Sequence, residues 1–267
     1  MTCPTGVGSL LGLLICARTD DGREFAVKTS DWPMHGCRNF RIRLAVEFVY
    51  YAYARENHVP TPEARVLELP NDVGWGTEIL PGRVQLTGRD MTLTEAEREA
   101  VKVGFLSSRD ARDEFLRLSF LDVLLLNQDR TEPNVLKQQV EGATRLSFID
   151  HEQSLGWRSN IEVPAENGIK SPEIEVLRIA DRYARFGRKY GWGLQISTGE
   201  ERRTIFQGMK CDPSLFDEIG ANIPDGWLSP ESLQDMRVGL GNWWAYLERK
   251  PYEEIDQLIF GASVAPQ

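Results

Sequence analysis

The segment Phe115–Leu126 is apolar almost all round, and it runs without a break into the polar string Asn127-Gln128-Asp129-Arg130-Thr131-Glu132-Pro133-Asn134. A helix that is apolar around its whole circumference has to be buried inside a larger body. The sequence therefore predicts a polar loop delivered at the end of a buried helix. Two β-type runs follow, Val135–Val140 and Arg145–Ile149, joined through Glu141-Gly142, and the second ends on Asp150. A hairpin of this kind brings Asp150 back beside the loop.

The rest of the chain divides near residue 90. Leu10–Ala17 and Glu24–Thr29 read as strands around the turn Thr19-Asp20-Asp21-Gly22, whose Asp-Gly pair is a hairpin signal. Phe40, Leu44, Ala45, Phe48, Val49 and Ala52 recur at helical spacing, predicting one amphipathic helix that ends before Pro60 and Pro62. Strands are expected again at Ala64–Leu69 and about Gly76–Leu80. Beyond Thr92 the signals are mostly helical, over Thr94–Val103, Arg109–Leu126, Ser171–Tyr190, Glu200–Met209 and Pro230–Arg249. This order predicts an α+β protein in which a small β-rich lobe precedes a larger helical one. With 267 residues, 41% hydrophobic and 27% charged, the chain is long and apolar enough to bury such a core.

An Asp-x4-Asn spacing followed by a strand-terminal Asp suits phosphoryl transfer. One carboxylate meets the acceptor hydroxyl, and an amide with a second carboxylate holds Mg²⁺ on the nucleotide phosphates. Taken alone, the same residues also make a capped turn, because Asp, Asn and Pro end helices and start hairpins. The order of features upstream favours the first reading. Gly6-Val7-Gly8-Ser9 opens the first strand, where glycines let backbone N–H groups approach a phosphate. Lys28 ends the second strand, where it supplies a point charge. Glu47 lies on the border of the apolar helical stripe, within reach of Lys28.

Other classes find less support. A formal net charge of −9 argues against a nucleic-acid binder that works by broad phosphate neutralisation. Cys3, Cys16, Cys37 and Cys211 form no CxxC pair and read as reduced structural thiols. The apolar run Leu10–Ala17 is far too short to span a bilayer, so the expectation is a soluble, cytoplasmic protein. His35-x-Cys37 has no second ligand pair, and no G-x-S-x-G elbow marks a hydrolase. The Trp243-Trp244 helix reads as core.

In Gly6–Ser9, Asp21–Lys28, Leu44-Ala45-Val46-Glu47 with Val59–Pro62, Asn127-Gln128-Asp129-Arg130 with Asn134, and Phe148-Ile149-Asp150-His151, the sequence resembles the HipA-like kinases. These belong to a branch of the protein-kinase-like fold that includes phosphoinositide kinases. The resemblance covers residues 6 to about 157, and the Asn-x-Asp-Arg-x3-Asn string is its most specific part. It implies an N-lobe over 1–90, a C-lobe over 91–267, and use of ATP and Mg²⁺. Asp129 would be the catalytic or hydroxyl-orienting carboxylate, Asn134 and Asp150 the magnesium ligands, and Lys28 the phosphate contact paired with Glu47. Gly6, Gly8 and Ser9 would lie against phosphate, and the backbone of Glu78 to Leu80 against adenine. Arg130 stays open between a phosphate-side role and an ion pair with Asp122. Thr131 stands where related kinases often carry His, and Asp150-His151-Glu152 lacks the Phe-Gly of typical protein kinases. The acceptor implied is a hydroxyl, with a protein Ser/Thr favoured, the chain itself included, over a lipid or small molecule. The rival reading is a silent kinase-like module that binds nucleotide or protein without transfer. The sequence does not indicate an oligomeric state.

Overall fold

The computed structural model describes residues 15–29, 40–70, 72–79, 84–85, 94–96, 99, 109–127, 130, 134–141, 143–152, 154–155, 178–181, 183 and 197–260. Four strands form the first sheet: β1 (Ile15–Arg18), β2 (Glu24–Lys28), β3 (Ala64–Leu69) and β4 (Asp72–Glu78), in the antiparallel order β1-β2-β4-β3. The expected Asp-Gly turn closes the β1–β2 hairpin with Gly22 at φ +83°. Strand β4 starts at Asp72, four residues earlier than its apolar content suggests, because Val73-Gly74-Trp75 pairs fully with β3. Gly74 is needed there: a Cβ would lie 2.7 Å from the Val27 side chain and 2.8 Å from the Lys28 carbonyl.

Helix α1 (Phe40–Glu56) crosses behind this sheet. The sequence predicts an amphipathic helix, but the helix is covered nearly all round. From Ile42 to Ala54 every residue is buried or half-buried, Arg43 and Glu47 included. Leu44, Ala45 and Tyr51 pack with Trp75 and Trp227 against the sheet, while Ile42, Val46, Val49, Tyr50 and Tyr53 enter the large core of the helical lobe. The two charged residues tolerate burial because each has an oppositely charged partner, described below.

The helical lobe is built around α2 (Arg109–Leu124). All residues of 115–126 except Arg117 are buried, as the apolar run predicts. The helix ends at Leu124, and Leu126 just beyond it takes the left-handed conformation at φ +51°. The N–H of Leu126 donates to the Val123 carbonyl (3.2 Å) and that of Asn127 to the Asp122 carbonyl (2.8 Å), a Schellman closure made without glycine. The neighbouring carbonyls are also satisfied: the indole N–H of Trp243 donates to Val123 and that of Trp244 to Leu124, both at 2.9 Å, and the Leu155 N–H donates to Leu125 at 2.5 Å. The tryptophan pair is core, as expected, and also caps the helix that leads into the polar loop.

A second sheet, β5 (Val84–Gln85), β6 (Val135–Val140) and β7 (Ala143–Phe148), follows the order β5-β6-β7. The short β5 was not foreseen. The rest of the lobe comprises α3 (Gly199–Gln207), α4 (Pro213–Gly220), α5 (Pro230–Glu248) and α6 (Tyr252–Phe260). Helices α4 and α6 were not expected, although Asp212-Pro213 gives α4 a side-chain N-cap followed by Pro in the first turn. The expected helices Thr94–Val103 and Ser171–Tyr190 lie largely outside the described residues. Cys16 is disulfide-bonded, contrary to the expectation of reduced thiols, and Cys211 is free. Among the described residues, no helix is long and apolar enough to cross a membrane.

Candidate active site

Three separate pieces of chain meet at the ammonium group of Lys28. Strand β2 carries Lys28 to the sheet's end, α1 supplies Glu47, and the segment after β7 supplies Asp150 and Glu152. Lys28 Nζ donates to Glu47 Oε2 (2.8 Å), Asp150 Oδ1 (2.6 Å) and Glu152 Oε2 (3.0 Å). Glu47, named from its place beside the apolar stripe, thus touches Lys28, and so does Asp150, 122 residues further along the chain.

The charges shape one another. Burial works against the Lys28 ammonium, but Asp150, Glu152 and Glu47 outweigh it and hold its pKa well above the ordinary lysine value. Burial pushes the Glu47 carboxyl up to about 7, with Lys28 opposing the rise. Asp150 sits at φ +58°, a left-handed conformation uncommon outside glycine, and its side chain is 38% exposed, so one face remains open to a ligand.

The β6–β7 hairpin joins Asp150 to Asn134. Val135 pairs with Phe148, and the Ile149 N–H donates to the Asn134 carbonyl at 3.0 Å. Asn134 is buried at the foot of β6. A second tie, from the Phe148 N–H to the Pro60 carbonyl at 3.0 Å, fastens this hairpin to the turn after α1.

Arg130 points away from solvent. Its guanidinium is 1% exposed and forms a two-pronged pair with the fully buried Asp122, through Nε to Oδ2 (3.0 Å) and Nη2 to Oδ1 (2.9 Å). It also donates to the Ile149 carbonyl (3.3 Å) and faces His151 Nδ1 at 3.0 Å. Asp122 accepts further bonds from Tyr50 and Tyr183, both 2.5 Å, and from the Asn127 amide, 2.9 Å. Burial, reinforced by Arg130, keeps the pKa of His151 well below its ordinary value, and its ring stacks on Tyr50 with centroids 3.9 Å apart. Of the two roles open to Arg130, the geometry is that of the ion pair with Asp122.

Glu78 ends β4, where its N–H donates to the Glu63 carbonyl (2.8 Å) and the Ile79 N–H donates to the Glu24 carbonyl (2.7 Å). Both donors are used within the sheet. Gly6, Gly8, Ser9, Leu80 and Asp129 lie outside the described residues. Reading the sequence missed Arg43, Tyr50, Tyr183 and Glu152. Arg43 stands one helical turn before Glu47, and Glu152 two residues after Asp150. Those spacings were visible, but no pattern of hydrophobicity distinguishes a buried pair of this kind from two solvated charges.

No family model matches the sequence, and no curated protein matches it significantly. Solved structures do. The chain is similar to the Helicobacter pylori proinflammatory kinase CtkA at 14% identity and a TM-score of 0.56, over 91% of this chain and 93% of that one. It is similar also to HipA of the Shewanella oneidensis toxin–antitoxin system, solved with HipB and operator DNA, at 12% identity and a TM-score of 0.51, over 88% of this chain and 60% of that one. These likenesses, over 91% and 88% of this chain, show that it has the two-lobed α+β fold of the HipA-like kinases.

Proposed function

We propose that the chain is a Mg²⁺-dependent kinase that transfers the γ-phosphoryl group of ATP to a hydroxyl, with a protein Ser/Thr as the favoured acceptor. The observation that carries this reading is the meeting of Lys28 with Glu47 and Asp150 at 2.8 and 2.6 Å, from three distant parts of the sequence. A lysine fixed by a helix glutamate beside a strand-terminal aspartate is the arrangement phosphoryl transfer uses to hold nucleotide phosphates.

The donors fit the metal. The Asp150 carboxylate and the Asn134 amide oxygen are hard ligands of the type Mg²⁺ prefers, and Asp150 already holds a cation, the Lys28 ammonium. When bound, Mg²⁺ supplies charge neutralisation on the phosphates. Lys28 turns an N–H from Asp150 to phosphate oxygen, and Glu47 keeps the ammonium in place. Asp129, delivered by the loop after α2, accepts the acceptor's hydroxyl proton. The acceptor oxygen bonds to the γ-phosphorus as the bond to the ADP oxygen breaks. Arg130 takes no part at the phosphate and acts through the loop, which it ties to Asp122.

Labelled γ-phosphate tests this. Wild type with Mg²⁺ is expected to label itself or a species in a cell lysate. Asp129→Ala should abolish transfer yet retain nucleotide binding, and Asp150→Ala should weaken Mg·ATP binding as well. ATP binding without turnover in every condition would replace the kinase with a silent nucleotide-binding module, and full activity in both variants would remove the site assignment.

A further inference from the structure

Lys28 is held by one carboxylate more than the proposed reaction requires. The ammonium has three protons, and each meets a different carboxylate: Glu47, Asp150 and Glu152. If Asp150 serves the metal and one N–H serves the phosphate, two carboxylates remain to position the lysine. Glu152 is built for that. Its Oε2 faces Lys28 at 3.0 Å, and its other oxygen, Oε1, accepts from Arg43 Nη1 at 2.8 Å. Arg43 is 3% exposed and lies four residues before Glu47, on the same side of α1.

The four side chains, with the turn of α1 that joins Arg43 to Glu47, therefore form a closed circuit. Helix α1 reaches Lys28 directly through Glu47 and indirectly through Arg43 and Glu152, so the helix and the segment bearing Asp150 are fastened together as well as to the lysine. Both oxygens of Glu152 are occupied by basic groups, which distinguishes it from Asp150, whose side chain is three times as exposed at 38% against 12%. A buried arginine thus fixes the orientation of Glu152.

We propose that Glu152, oriented by Arg43, is a second lysine-positioning residue that shares with Glu47 the task of holding Lys28 for phosphate. The inference rests on the kinase reading for its effect on catalysis, but the hold on Lys28 can be read without it.

The test compares the full-length wild type with Glu152→Gln, Glu47→Gln, the double variant and Arg43→Met. The first measurement is the rate at which a small acylating reagent modifies Lys28 in the nucleotide-free protein, followed by peptide mass spectrometry. Removing one carboxylate releases one ammonium N–H from its partner and loosens the hold on the amine, which is expected to raise the rate about tenfold. Each single Gln variant should react faster by about that factor, the double variant faster again, and Arg43→Met should resemble Glu152→Gln. Unchanged Lys28 reactivity in Glu152→Gln would overturn the proposal. The second measurement is ATP turnover. Glu152→Gln should raise the KM for ATP about tenfold with a smaller fall in kcat, and the double variant should lose more than the product of the single losses. A shift confined to the Mg²⁺ concentration needed for half-maximal rate would instead make Glu152 a metal ligand and overturn the proposal. If the wild type turns over no ATP, the kinase reading falls, while the acylation rates still decide whether Glu152 holds Lys28.

Discussion

Arg130 and Asp122 stand eight residues apart across the end of α2 and form a buried two-pronged ion pair, with N–O distances of 3.0 and 2.9 Å. Arg130 belongs to the loop that carries the candidate catalytic Asp129, and Asp122 to the helix that delivers it. The loop is thus anchored to a group that also binds Tyr50 of α1, Tyr183 and Asn127. A carboxylate at 0% exposure is stable as a charge only because several donors replace its hydration.

Asp122→Ala should therefore unfold the chain far more easily than its size change suggests. Removing one partner of a buried pair costs about 3 to 5 kcal/mol, and here the Arg130 charge is left uncompensated. Tyr183→Phe, which removes a single hydrogen bond, should cost about 1 kcal/mol. Urea denaturation checks both, and equal small losses would show that the cluster is not the anchor described.

Lys28→Met leaves Glu47, Asp150 and Glu152, whose oxygens lie within 4.8 Å of one another, without their shared counter-charge. The variant should melt below wild type in metal-free buffer. Mg²⁺ should raise its melting temperature more than that of wild type, because the cation replaces the missing ammonium. Equal shifts in the two proteins would argue that the three carboxylates do not act together. ATP turnover should fall by about a hundredfold or more.

Glu47 gives a pH signature. Its carboxyl rises from 4.5 to about 7 on folding, burial being the main cause. A carboxyl whose pKa is raised in the folded state binds more protons there than in the unfolded chain. Its contribution to stability is full below 4.5 and is lost as pH climbs through about 7. Between about pH 5 and about pH 8, nucleotide-free wild type should lose stability relative to Glu47→Gln. Urea midpoints across that range measure the difference, and parallel curves would contradict the assignment.

The sequence showed the site's outline better than its supports. Buried α2 and the hairpin returning to Asp150 were readable because hydrophobic run length and the Glu141-Gly142 break depend on local chemistry. Lys28 and Glu47 were nameable through their order along the chain. Arg43 and Glu152 were not, because a charged residue inside the protein has the same local sequence as one on its surface, and only a partner 109 residues away reveals it. Strand β5 is two residues long, too short for any periodicity. The early start of β4 was hidden because Gly74 belongs there for lack of room rather than for strand propensity.

Helix α1 has apolar partners on both sides, the sheet through Leu44 and Tyr51 and the helical lobe through Val46, Val49 and Tyr53. Parting Glu47 from Lys28 by a movement of this helix would require the helix to leave both sets of partners. Here an outward swing would have to empty two cores at once, at a cost of several large side chains returned to water. Breaking the Lys28–Glu47 contact by moving the helix therefore carries the cost of opening both cores in addition to that of the ion pair itself.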